Sequence, residues 1–442
     1  MKKILLFLAL ALAYGQRAES QIPLTKLVKK EVVDSLSKSL IKNYIFPDTA
    51  RRMGNKIQEN LAKGLYDTIS TPRDFARKLT KDLRSVYNDL HLSMNFNPNA
   101  EKNLMDTSPK NTAENEAKDL EAARKKNYGF IKTELLKGNV GYVHFDQFYG
   151  LTDDAKKTVE SAFIFLKYSD GLIIDLRDNR GGSPDMVKYI CSFLFSKPTH
   201  INDLFEHRTG KTQQYWTEPV KGYEGLTGIP VYVLTNGRTF SAAEEFAYDL
   251  QSQRRGKVVG ETTGGGAHPV SFQLTGHGFI ALVPFARALN PVTRTNWEAV
   301  GVKPDLAVDP DNAIDAALLN FYDDRIAVLT DSVTKAPFAW DRAMLYGNLH
   351  PQIIDPSLLK SYIGTFKFRE DVGETITLEA GALYTKAEVG KPSRLIALSA
   401  NTFKPEHNDT YKLEFVKDAT GQISQVKLIF DDGSARIDKK EK

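Results

Sequence analysis

From residue 27 to 92 the apolar side chains recur at helical spacing, as in Val28, Val32, Leu36 and Leu40 and again in Phe75, Leu79 and Leu83, which predicts a small helical domain. Thr71 is able to cap free backbone donors and Pro72 suits the first helical position, so a helix is expected to start there and end near His91. Between 97 and 127 the composition turns to Asn, Lys, Glu, Asp and Ala, which reads as an exposed excursion with room for one solvated helix. The pattern then alternates: a strand at 139–145, a helix at 153–168, a continuously apolar strand at 171–176, a helix at 185–195, a strand at 230–234, a helix at 241–251 and a strand at 257–260. That alternation is the signature of an α/β core with a largely parallel sheet.

After Pro310 the pattern gives a short helix at 313–322 and a linker containing Pro337, Pro351 and Pro356. From Leu359 onward short alternating runs, at 362–368, 375–378, 382–387, 411–416 and 425–430, are separated by Gly, Asp and Asn turns, which predicts a small antiparallel β domain, a barrel or a sandwich. The expected division is a helical domain over 21–96, a linker over 97–127, an α/β core over 128–310, a helix and linker over 311–357, and a β domain over 358–442.

Composition narrows the function more than the fold. At 442 residues the chain exceeds one ordinary core, and its formal net charge of +4 comes from nearly balanced acids and bases, so neither nucleic acid nor an anionic membrane is expected as a partner. Lys2 and Lys3, an apolar stretch from Ile4 to Ala13 and the small exit at Gly15 read as a secretory signal within 1–20, cleaved between 15 and 20. The stretch is too short for a bilayer span, which needs about 20 residues. Export to the periplasm or medium without a stable membrane anchor is expected. Cys191 is the single cysteine, so it has no partner in the chain for a disulfide. His144, His268 and His277 lack metal-ligand spacing, and Gly264, Gly265 and Gly266 lack the Lys-Ser/Thr ending of a phosphate loop, so no metal or cofactor is expected.

Two strand ends carry candidate chemistry. One runs from Asp175 through Asn179 to Gly181, Gly182 and Ser183, where a glycine pair can present free N–H groups. The other runs from Leu234 through Thr239 and Phe240 to Ser241, Ala242 and Glu245, placing a hydroxyl at a helix N-terminus behind a tight turn. Taken alone, Ser241 is as well read as a cap, His91 as an ordinary helix-end histidine and Glu298 as a loop acid.

Together with the glycine-rich stretch from Val258 to Gly266, these segments resemble the tail-specific (C-terminal processing) protease superfamily, peptidase family S41, and within it the branch of the tricorn core protease and the interphotoreceptor retinoid-binding protein. The resemblance covers about Val28 to Asp309 and implies a ClpP/crotonase-like α/β core and a serine-type peptidase acting on peptides or unstructured protein ends. It places the nucleophile at Ser241 and the oxyanion donors at Gly181 or Gly182 and at Ala242. The processing proteases carry a lysine base after the nucleophile helix, whereas 262–267 has none here. The tricorn-like pattern instead implies His91 as base and Glu298 as its orienting acid. The retinoid-binding branch leaves open a second reading, a non-catalytic carrier of retinoid-like or other apolar ligands.

Overall fold

The computed structural model describes residues 23–387 and 390–441; the segment read as a secretory signal, with its expected cleavage point, lies outside the described residues. The chain divides into two compact units between Ile314 and Asp315.

The first unit opens with three helices, α1 (Lys26–Asn43), α2 (Pro47–Ala62) and α3 (Pro72–Arg84). Thr71 caps α3 by accepting from Asp74 N, with Pro72 in the first turn, as the sequence predicts. The helix stops at Arg84, well short of His91, and the intervening chain folds into turns closed by the Asp89 N–H to Tyr87 O bond. Strand β1 (Ser93–Phe96) follows, then α4 (Pro98–Met105) and α5 (Pro109–Lys125). The stretch read as an exposed excursion thus forms two capped helices, with Asn97 and Ser108 as the caps.

The core proceeds through β2 (Phe130–Leu136), β3 (Val140–Phe145), α6 (Asp153–Leu166), β4 (Gly171–Asp175) and α7 (Pro184–Cys191). A hairpin, β5 (His200–Glu206) and β6 (Lys211–Trp216), leads to β7 (Val231–Thr235), α8 (Ala242–Ser252) and β8 (Lys257–Gly260). Then come β9 (Val270–Gly276), β10 (Phe279–Pro284), β11 (Ala286–Leu289) and β12 (Leu306–Ala307). The main sheet has the order β12-β8-β7-β4-β3-β2, parallel except for the β2–β3 pair. Every residue of β4 and β7 is buried, which explains the continuously apolar reading of 171–176.

Two small sheets escaped the sequence pattern. In β1-β10-β9, β1 joins the segment after α3 to β10, whose Phe279, Ala281 and Val283 enter the helical cluster with Val32, Leu36, Phe75 and Leu79. The second is β11-β5-β6. Helix α9 (Ala313–Val328) begins at the division between units.

The second unit holds α10 (Ser332–Leu349) and α11 (Pro356–Ser361). The proline-marked linker is therefore largely helical, with Pro337 accommodated inside α10. Strands β13 (Gly364–Arg369), β14 (Val372–Glu379), β15 (Ala382–Ala387), β16 (Ser393–Ala397), β17 (Thr402–Pro405), β18 (Tyr411–Lys417), β19 (Ile423–Phe430) and β20 (Ala435–Lys440) form a closed barrel. Of the two forms expected, barrel or sandwich, the chain adopts the barrel, with Phe366, Phe403, Leu413 and Phe415 in its core.

Candidate active site

β4 and β7 are hydrogen-bonded neighbours running the same way, so the loops that leave them emerge side by side at the end of the sheet. The first loop brings Gly181 and Gly182; the second ends in Ser241 at the N-terminus of α8. Ser241 sits at φ 59°, ψ −123°, a conformation that costs a non-glycine residue about 1–3 kcal/mol and has to be held by its surroundings. It is held from both sides. The Phe240 N–H donates to Asn179 O at 3.0 Å, and the Ser241 N–H donates to Glu244 Oε2 at 2.8 Å. A Cβ on Gly181 would stand 2.7 Å from the Cβ of Ser241 and 2.7 Å from Ala242 N, so only glycine lets the two loops approach this closely.

The two glycines are not equivalent. The Gly181 N–H donates to Asn179 Oδ1 at 2.9 Å and is committed to shaping the loop. Gly182 pairs with Phe148 as an isolated bridge that uses the carbonyl of Gly181 and the N–H of Ser183. Among the described residues no hydrogen bond takes the N–H of Gly182 or of Ala242, the latter a free donor of the first helical turn. Of the two glycines considered, Gly182 is the one with a donor to spare.

His91 lies 4.6 Å, ring to ring, from Phe240, and both His91 and Ser241 line one cavity of about 440 Å³ with Gly182 and Ala242. His91 is half-buried, and its Nδ1, sealed from solvent, has no hydrogen-bond partner. Burial, the largest influence, pushes the His91 pKa down to about 4, opposed by the negative charge of Asp89. Glu298 is half-buried as a residue with its side chain largely enclosed, and its Oε1 lacks a partner while Oε2 accepts from Ala267 N at 2.7 Å. Asp89, His91 and Glu298 each place a donor or acceptor atom within 4.8 Å of the others. No His91–Glu298 hydrogen bond is formed; two complementary buried atoms stand in one cluster, each without a partner.

Behind this cluster lies a second histidine that metal-ligand spacing alone could not reveal. His268 is 1% exposed, its Nδ1 lies 2.8 Å from Asp89 Oδ2 and 3.5 Å from Glu298 Oε2, and so it bridges two carboxyl groups. Asp89 is fully buried, accepts from Tyr44 OH at 3.0 Å and from the His91 N–H at 3.1 Å, and is thereby tied to both histidines. The sequence signal was the spacing Asp89-Leu90-His91, an Asx-type bond two residues long. Glu244 was also missed. Fully buried, it accepts from Thr263 Oγ1 and the N–H groups of Gly265, Gly266 and Ser241, so one carboxyl group pins the glycine-rich loop to the serine turn.

A serine on a strained strand-to-helix turn, a half-buried histidine lining the same cavity and two free backbone donors at adjacent parallel strand ends make the architecture of a serine-hydrolase-like α/β domain. Residues 139–308 match the model of peptidase family S41, and residues 17–127 match that of the N-terminal domain of Peptidase_S41 in eukaryotic IRBP; the chain belongs to peptidase family S41. A carboxyl-terminal-processing protease of Synechocystis is 33% identical over 174 residues, 39% of this chain and 38% of that protein. A tail-specific protease of Haemophilus influenzae is 29% identical over 130 residues, 29% of this chain and 17% of the relative. The chain thus spans less than half the length of these curated relatives. Among solved structures, a photosystem II D1 C-terminal processing protease aligns with 17% identity and a TM-score of 0.42 over 65% of this chain and 93% of that one. Among the described residues no helix is long and apolar enough to cross a membrane.

Proposed function

We propose that this protein is an exported serine peptidase that hydrolyses peptide bonds in peptides or unstructured protein ends through an acyl-enzyme. Ser241 Oγ attacks the scissile carbonyl carbon while the His91 imidazole takes its proton; the oxyanion that forms is met by the N–H groups of Gly182 and Ala242. The tetrahedral species collapses as the imidazolium returns the proton to the leaving amine, and water repeats the sequence to release the acid. Glu298 orients the imidazole and balances its positive charge. The observation that carries this reading is the convergence of Ser241, His91 and the two uncommitted donors on one cavity.

The test is labelling of the full chain with a fluorophosphonate, coupled to digestion of a peptide library. Labelling and cleavage in the wild type, both lost in Ser241→Ala, are expected. The largely apolar lining, which includes Leu204, Val270, Phe285 and Trp297, favours a second reading, a carrier of retinoid-like or other apolar ligands. Retention of such a ligand with no labelling of Ser241 would establish the carrier instead.

A further inference from the structure

The cavity beside Ser241 has apolar walls and an acidic floor. Ala242 and Glu245, three residues apart, share the face of α8 that lines it, and Leu204, Tyr215, Ala288 and Trp297 form the walls. Glu245 is 6% exposed, and its Oε1 is sealed from solvent with no hydrogen-bond partner. One turn further along α8 lies Asp249, fully buried and also with an unpartnered oxygen, Oδ2. Asp185, exposed at the start of α7, adds a negative charge that repels Glu245. Among the described residues none of these three acids forms an ion pair. Glu206 and Lys211, paired in the β5–β6 register, also line the cavity, and the ion pair of Glu206 is with Arg208 at 3.8 Å.

A buried carboxyl group with one oxygen lacking a donor and with no ion pair is a group whose desolvation is only partly relieved until a ligand supplies a donor and a positive charge. From this we infer that the cavity is a specificity pocket for a lysine or arginine side chain flanking the scissile bond, with Glu245 as the acid that receives its charged head. This rests on the peptidase reading and names its substrate class. The apolar walls suit the methylene stem of such a side chain, and the head is carried past them to the floor. Burial and the repulsion of Asp185 push the Glu245 carboxyl up to about 7 in the free protein, against the amide of Asn202 on β5, which favours the ionised form; a bound cation favours that form further.

The experiment compares wild type, Glu245→Leu and Glu245→Gln on peptides that differ only in the residue on either side of the scissile bond, set to Lys, Arg, norleucine or Gln. A wild-type preference of tenfold or more in kcat/KM for Lys or Arg over norleucine is expected, falling at least tenfold in both variants while the norleucine peptide is still cut. A wild type indifferent to the basic residue, one preferring Gln, or a preference unchanged in the variants overturns the inference. Calorimetric binding of n-butylguanidinium against n-hexanol keeps the pocket testable if no peptide is cut, an outcome that would defeat the peptidase reading alone. Guanidinium binding that weakens at least tenfold in the variants supports the pocket; its absence from wild type, or its persistence in the variants, overturns it. The Gln variant preserves the size and shape of the side chain and serves if the Leu variant fails to fold.

Discussion

Gly266 stands where any side chain would strike His91: a Cβ built there lies 2.6 Å from His91 Cε1 and 2.3 Å from Phe240 Cζ. The glycine therefore sets the position of the imidazole as much as the residues that touch it. Gly266→Ala should shift the His91 ring by a fraction of an ångström to an ångström, and misplacement on that scale costs about a hundredfold in rate. Steady-state kinetics and fluorophosphonate labelling, with circular dichroism to show an intact fold, check this. A variant as active as wild type would mean that the ring position is unimportant to turnover.

Ser241→Ala should lower kcat by about 10⁴ to 10⁶ without unfolding the protein, the usual result of removing such a nucleophile. His91→Ala should be nearly as damaging. Because the two groups act in one step, the double variant should be little worse than either single one. Additive losses in that cycle would separate the two residues.

The pH profile should follow Glu298 before His91. Burial pushes the Glu298 carboxyl up to about 7 and the His91 imidazole down to about 4. As pH falls, Glu298 gains its proton first and ceases to balance an imidazolium, while His91 is still neutral and competent as a base. The acid limb of kcat/KM is therefore expected near pH 7, and its apparent value belongs to the coupled group. In Glu298→Gln that limb should vanish, leaving a lower rate that persists toward pH 5. An unchanged limb in the variant would assign it elsewhere.

Asp89 is expected to matter to stability as well as rate. It joins His268 at 2.8 Å and Tyr44 at 3.0 Å in a buried setting, and breaking such a pair from one side costs about 3–5 kcal/mol. Urea unfolding of Asp89→Asn at pH 7 should show a loss on that scale. The bonds from His268 and Tyr44 hold the Asp89 pKa below its usual value despite burial, so its contribution is present above the unfolded value of about 3.9 and is lost as pH falls below it. The gap between wild type and variant should accordingly narrow below pH 4.

Much of this was legible along the chain. The strands read at 171–176 and 230–234 match β4 and β7 to within a residue at each end because both faces are buried, and the Thr71–Pro72 start of α3 needs only local chemistry. Ser241, His91 and the glycine pair could be singled out as candidates from motif order. What could not be read was burial imposed by distant segments. Glu244, Glu245 and Asp249 look like the solvated acids of an ordinary helix, yet all three are inside. His268 carries no local signal, because its partner Asp89 lies 179 positions away. The choice between Gly181 and Gly182 turned on a single side chain, Asn179, that takes one of their N–H groups.

The pairing of Phe366 with Lys440 joins β13 to β20 and brings the eight strands of the second unit round to their starting point. A sheet with no first or last strand offers no row of unpaired backbone groups, so an extended peptide cannot be recruited there by lengthening the sheet, nor can copies polymerise edge to edge through it. Any molecule this unit recognises must be read by side chains and by the loops at the ends of the barrel. Surveys for its ligands should therefore substitute loop residues and leave the strands alone.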